Sequence, residues 1–309
     1  MNVFKALVMR EILDGKSYYI RTPVILAGLT FVLLVLSTLL LGNIHIDNMD
    51  SDNVKNIGEG MTYLHGKEPE QVPFAVALMY WGLNILPWIA FPFVIFFSLL
   101  GTLYEERRDR SIMFWKSMPV ADWQEVLAKL FVPLVVAPIV VMAVTIAAQL
   151  ITAIFLGIVV LFQGGPAMEM FPLGLMITSW FMFFGHYIFG ALWALPLLAW
   201  LLLVSSYASR MPFLWAVLPP FILIAIEGIF FKSFGIAKWI AIHMGGWREA
   251  LEERIVAKID GPRDLFELMI SSALSESAAL TFSSVNMWGG LVIAGGFVYG
   301  AIEMRKRAI

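Results

Sequence analysis

Residues 104–130 read YEERRDRSIMFWKSMPVADWQEVLAKL, and ten of these 27 residues are charged, although only 14% of the whole chain is. Long apolar runs flank the stretch, residues 73–104 before it and about 126–162 after it. The chain is 309 residues long and 60% hydrophobic, with a mean hydropathy of +0.82. Soluble domains run at about 45–50% apolar and about 25% charged, so the charged stretch reads as an aqueous connector between two helices buried in a bilayer. Within it, residues 112–115 form a short apolar run ahead of Met118-Pro119-Val120. That pattern predicts a short helix wedged between two membrane helices, on a surface suited to docking a partner. Asp122 is the expected N-cap of the next helix, with Glu125 three residues on completing a capping box.

Working outward, a span needs about 20 mostly apolar residues. Six stretches meet this: residues 23–41, 73–104, 126–162, 172–204, 212–231 and 287–302. The fold class is therefore an all-α integral membrane protein with six transmembrane helices. The second, third and fourth runs exceed one bilayer thickness, which implies tilt, kinks or extension into water. Pro87 and Pro92, Pro133 and Pro138, and Pro196 mark the expected kinks, and Pro219 with Pro220 should break the fifth span.

Basic residues near span ends set orientation. Twelve lie on one side: Lys5, Arg10, Lys16 and Arg21, then Arg107, Arg108, Arg110 and Lys116, then Arg210, then Arg305, Lys306 and Arg307. The opposite side has Lys55 and Lys67 in its first loop, none over 163–171, and six in a long segment whose charges count weakly. The expectation is a multi-pass protein of the plasma membrane, the cytoplasmic membrane of a bacterium, with both termini cytosolic.

The remaining segments follow from this frame. Residues 1–22 are expected as an interfacial amphipathic helix, with Val3, Phe4, Leu7, Val8 and Ile12 on the lipid-facing side and Tyr18, Tyr19 and Arg21 as headgroup anchors. The six-span domain is residues 23–303, with a cytosolic coupling segment at 105–122 and a cytosolic tail at 304–309. An acidic outer loop occupies 43–72, without calcium-loop spacing. Residues 232–285 form a helical outer segment, with helices over 247–259 and 265–275 about a turn at Asp260-Gly261-Pro262.

Glu106-Arg107, Ser111-Ile112, Ser117-Met118-Pro119-Val120, Trp123, Val126-Leu127 and Lys129 resemble, in order, the segment between the second and third spans of type-2 ABC-exporter permeases. The likeness covers all six spans in layout and about 25 residues in sequence. It implies a permease subunit that forms the substrate path of an ATP-driven exporter. Its partners would be a separate ATP-binding cassette subunit and a second copy of itself or a related permease. The resemblance further implies that residues 108–118 are the coupling helix. Arg107, Arg108, Arg110 and Lys116 offer cationic donors to the partner, Phe114 and Trp115 aromatic anchors, and Met118 and Pro119 the end of the motif. The implied substrate path draws on the second, fourth and fifth spans, where Asn84, Pro87, His186, Pro219, Pro220 and Glu227 interrupt apolar faces. An apolar lining suits amphipathic or lipid-like cargo.

Other classes are narrowed by what the residues lack. Cysteine is absent, which removes disulfide, thiol and CxxC chemistry. A formal charge of -2 carries no basic field for nucleic acid. Gly15-Lys16-Ser17 has Arg10 where a P-loop needs glycine, so the chain is expected to be non-catalytic and to hold no cofactor, with ATP and magnesium in the partner subunit. Glu105, Glu106 and Arg110 fit the EExxxR pattern of glutamate-type intramembrane proteases, but Met182 stands where that chemistry wants phenylalanine four before His186. An ion-coupled secondary transporter would use His186 and Glu227, with Asn84, Thr145 and Gln149 as lesser polar groups.

Overall fold

The computed structural model describes residues 3–40, 56–245, 261–270 and 274–308, and those residues form helices joined by short turns, with no strand among them. Six helical stretches are long and apolar enough to cross a membrane: Ser17–Leu40, Val72–Arg108, Asp122–Phe162, Ala167–Tyr207, Pro212–Phe231 and Val285–Arg307. They match the six expected runs, and most continue past the apolar core because a helix once started keeps adding backbone bonds into the headgroup and water layers. The chain is a multi-pass membrane protein.

Proline explains the interruptions. The second stretch is two helices, α4 (Val72–Leu83) and α5 (Leu86–Arg108). Pro87 has no N–H to offer the preceding turn, so the helix ends at Asn84 and restarts with Pro87 in the first turn of α5. In the third stretch, α7 (Asp122–Phe131) widens into a π turn, Val132–Val136, around Pro133 before α8 (Ala137–Phe162) continues. The expected break at Pro219 and Pro220 does not occur. α10 (Pro212–Ile226) runs through both and widens only afterwards, at Glu227–Phe231. A proline removes a single bond from the ladder, and inside a membrane the surrounding bonds favour keeping the helix.

The core is built on α9 (Leu173–Tyr207), which packs along α5 and along the last helix, α14 (Val285–Arg307). Small residues let α14 approach closely: Ala294 and Ala301 are buried, and a Cβ at Gly300 would stand 3.1 Å from Leu203. Polar side chains inside the bundle serve as acceptors for indole N–H groups. Trp88 donates to Thr145 at 3.0 Å, Trp180 to Gln149 at 2.6 Å and Trp81 to Ser179 at 2.9 Å. Thr145 and Gln149, considered above for ion coupling, are thus interhelical bonds. By contrast α10 buries only Ala216, and α2 (Thr22–Leu40) only Pro23 and Ala27.

Outside the spans, residues 56–71 include a helix, α3 (Ile57–Lys67), which the acidic-loop reading missed. Asn56 caps it by accepting from Glu59 N at 2.9 Å and donates back to the Glu59 carboxylate at 3.3 Å. The helix expected over 247–259 lies outside the described residues. α11 (Gly235–Met244), α12 (Pro262–Ile270) and α13 (Leu274–Ser283) make up the described part of the long outer segment. At the amino terminus α1 (Val3–Asp14) forms, but the side assigned to lipid meets protein instead. Leu7 is buried, Val8 and Ile12 pack on the main core, and Phe4 meets Phe131 of α7 edge-on at 5.9 Å. The apolar residues α1 leaves outside are Val3, Met9 and Leu13.

Candidate functional site

Four elements distant in sequence meet at one end of the bundle through charge. Arg10 of α1, Lys129 of α7 and Arg305 of α14 face Glu11, Glu106 and Glu125, with Asp122 at the rim. Lys129 Nζ sits 2.9 Å from Glu11 and 2.8 Å from Glu106. Arg305 Nη1 donates to Glu106 Oε2 at 2.6 Å, its Nε lies 3.4 Å from Asp122, and its Nη2 pairs with Glu125. Arg10 reaches Glu125 at 3.4 Å. The inner members are dry, with side-chain exposures of 2% for Arg305 and 4% for both Glu125 and Lys129. Such a network adds little net stability over an apolar core, yet loss of one member leaves the others uncompensated. Its effect is to hold α1, α5, α7 and α14 in one relative orientation, with α1 and the last turns of α14 at the same end of the bundle.

Two readings are corrected here. Asp122 is not an N-cap: Ala121 takes that position with an extended backbone and no side-chain bond, and Asp122 is the first residue of α7. Glu125 turns inward to Arg305 instead of closing a capping box, because a guanidinium in a dry site binds a carboxylate more strongly than a backbone N–H does. Residues 304–309 are not simply a tail either, since α14 continues to Arg307. Arg305 was counted above only as an orientation charge. Its sequence signal was weak: one arginine in a basic cluster, with partners about 180 to 200 residues away in the chain.

Directly on this junction sits α6 (Ile112–Lys116), a short helix in the connector but shorter than the expected 108–118, because α5 runs to Arg108 and Arg110 turns the chain at positive φ. Ile112 is its buried anchor. The expected coupling residues separate into two groups. Phe114 is 57% exposed, Met118, Pro119, Arg108 and Arg110 are also outward, and so is Met113, which the sequence reading left out. Arg107, Trp115 and Lys116 are engaged within the chain. Arg107 Nη2 donates to the carbonyls of Ser205 and Ala208 at 2.8 Å each, closing the end of α9. The Arg10 guanidinium lies 4.0 Å over the Trp115 ring. Lys116 donates to the carbonyls of Lys306 and Ala308, capping α14. With Ile112 buried in so short a helix, the next two residues must face out, which is the signal that would have found Met113.

The residues assigned to a substrate path have separate local roles. Asn84 is buried at the end of α4 and donates to Tyr80 O at 2.9 Å. Pro87 is buried at the start of α5. His186 Nδ1 lies 2.7 Å from Met182 O one turn back. Pro219 and Pro220 lie within the peripheral α10. Glu227 caps the start of α11, accepting from Gly235 N at 2.7 Å, Ile236 N at 2.8 Å and the Ser233 hydroxyl. A groove of about 850 Å³ does open beside the junction, its lining including the apolar Phe93 and Phe97 of α5 and the acidic Asp14, Glu105 and Asp109.

No family model, curated protein or solved structure matches this chain.

Proposed function

We propose that this chain is the membrane-spanning permease subunit of an ATP-driven exporter of the type-2 ABC class, with both termini cytosolic in a bacterial cytoplasmic membrane. The observation that carries the reading is the outward face of α6 and the turn after it: Met113, Phe114 and Met118 stand exposed near Arg108 and Arg110, and the helix is held from beneath by Trp115 under the Arg10 guanidinium of the ionic junction. Exposed aromatic and sulfur-containing side chains ringed by arginine are the composition of a docking hot spot. The resemblance of residues 106–129 to the coupling segment supplies the partner class, an ATP-binding cassette subunit. On this reading, closure of the ATPase subunits pushes on α6, and the junction passes the push to α1, α5, α7 and α14 together.

A second copy or a related permease would cover the lone α10 and α2, which bury so little of their own surface, and complete the path. The groove between α1 and α5, apolar at one end and acidic at the other, suits an amphipathic cargo entering from the bilayer. The competing readings lose their carboxylates. Glu227 is committed to capping α11, so it is not poised to carry ions, and both oxygens of Glu106 face cations, leaving none to activate water for proteolysis.

The test is copurification from native membranes with an ATP-binding cassette subunit encoded beside this chain, together with ATPase activity. Phe114→Ala with Met113→Ala, and separately Arg108→Glu, should abolish both. Undiminished partner binding and hydrolysis in all these variants would sink the exporter reading. ATP-free vesicles showing ion-driven uptake would replace it with secondary transport.

A further inference from the structure

A second recess, of about 680 Å³, lies where the end of α5, the turn after it and the end of α14 meet. Its lining is Arg107, Arg110, Ile112, Met113, Arg307 and Ala308. Three of these six are arginines, and none of the lining residues is acidic. That is out of keeping with the surroundings, where Arg108 pairs with Asp109, Arg305 with Glu106 and Lys306 with Glu303. Arg110 and Arg307 form no ion pair with any described residue, and the buried Nε of Arg107 has no partner among them. Arg110 also sits at φ +58, a left-handed conformation that glycine adopts freely and a residue with a Cβ only at a cost. A strained position of that kind points towards function when the side chain has a task.

The level of the recess narrows the ligand. Arg107 lies three residues, about 5 Å at 1.5 Å per residue, beyond Tyr104, where the apolar run of that span ends, which puts the recess at headgroup level, beside the apolar Ile112 and Met113. We propose that this recess binds the phosphate of an anionic phospholipid headgroup. Guanidinium groups match phosphate oxygens with paired donors, and basic pockets between membrane helices are where such headgroups are held. Ile112 and Met113 give the glycerol and upper acyl carbons an apolar wall. The inference goes beyond the exporter reading and is tested without an ATPase partner, although the recess shares Arg110 and Met113 with the face assigned to that partner above. A lipid in this site would touch the first turn of α6 and the end of α14 at once.

The test uses the purified full chain in detergent at fixed ionic strength. Thermal unfolding is followed against dihexanoyl phosphatidylglycerol, dihexanoyl phosphatidylcholine or inorganic phosphate, for wild type, Arg110→Gly, Arg307→Gln and the double variant. Glycine suits the left-handed backbone at position 110, and Arg307 is exposed, so all should fold. Phosphatidylglycerol should raise the wild-type Tm saturably while phosphatidylcholine does not. The double variant should need about thirtyfold more phosphatidylglycerol, the loss of two arginines' attraction to an anionic lipid. If inorganic phosphate reproduces the saturable shift and the variants lose it, the recess is a phosphate site but the lipid source is rejected. Equal responses to both lipids, no shift with either anion, or an unchanged response in the double variant overturns the proposal.

Discussion

Replacing Arg305 with methionine should cost about 3 kcal/mol of folding stability, near the lower end of the range of about 3–5 kcal/mol for removing one partner of a buried ion pair. The side chain is 2% exposed and faces Glu106, Glu125 and Asp122. Without it, Arg10 and Lys129 are left to neutralise four carboxylates. The lower end applies because those two cations remain in place, at 3.4 Å from Glu125 and 2.8 Å from Glu106, and Asp122 at 28% exposure can turn to water. Glu125→Gln alone should also destabilise. The double variant Arg305→Met with Glu125→Gln should lose less than the sum of the two, with a coupling of about 2 kcal/mol, because the most deeply buried unpaired carboxylate is gone. Unfolding in mixed micelles, titrated with denaturing detergent and followed by tryptophan fluorescence, measures all four corners of the cycle. A loss under about 1 kcal/mol for Arg305→Met, or strict additivity in the cycle, would refute the claim that the pair is dry and mutually dependent.

Gly290→Ala should destabilise by about 1–3 kcal/mol, because the new Cβ would stand 2.4 Å from His243 Nε2 and 3.3 Å from Pro196; the same unfolding assay reads it, and His243→Ala should relieve it. Tyr80→Phe removes a 2.7 Å donation to Met170 O in a buried site and should cost about 1–3 kcal/mol, whereas a neutral result would mean another donor reaches that carbonyl. Glu227→Ala should speed hydrogen exchange at the Gly235 and Ile236 amides, and unaltered protection there would rule out the cap. Because the chain has no cysteine, Lys16→Cys and Lys67→Cys can be labelled with an impermeant maleimide against a silent background. Only Lys67→Cys should react in intact cells, and labelling of both from one side would reject the topology.

How far the fold could be read beforehand depended on the range of the physics involved. The six spans were legible because a bilayer about 30 Å thick demands about 20 consecutive apolar residues, and run length is a local property. The short helix at Ile112–Lys116 was legible for a similar reason, as an apolar patch isolated between charges. The helix break before Pro87 followed from a missing donor, whereas the continuity of α10 through Pro219 and Pro220 did not, since it depends on how much the environment rewards the remaining bonds.

The site was legible only in outline. The sequence marked residues 104–130 as a charged connector and named Phe114 and Arg108 as outward, but it also offered Arg107, Trp115 and Lys116, which turn back onto the chain's own helices. Glu227 shows the same limit: an acid near a span end looks like a coupling group until the backbone of α11 arrives to occupy it. Run length, amphipathic spacing and the one-sided count of basic residues were set by the chain itself, because each is a sum over neighbours in sequence. The pairing of Arg10, Glu106, Glu125, Lys129 and Arg305 was decided only by tertiary structure. A side chain carries its charge in the sequence, but whether that charge lies in water or against a counterion depends on which distant helix packs beside it.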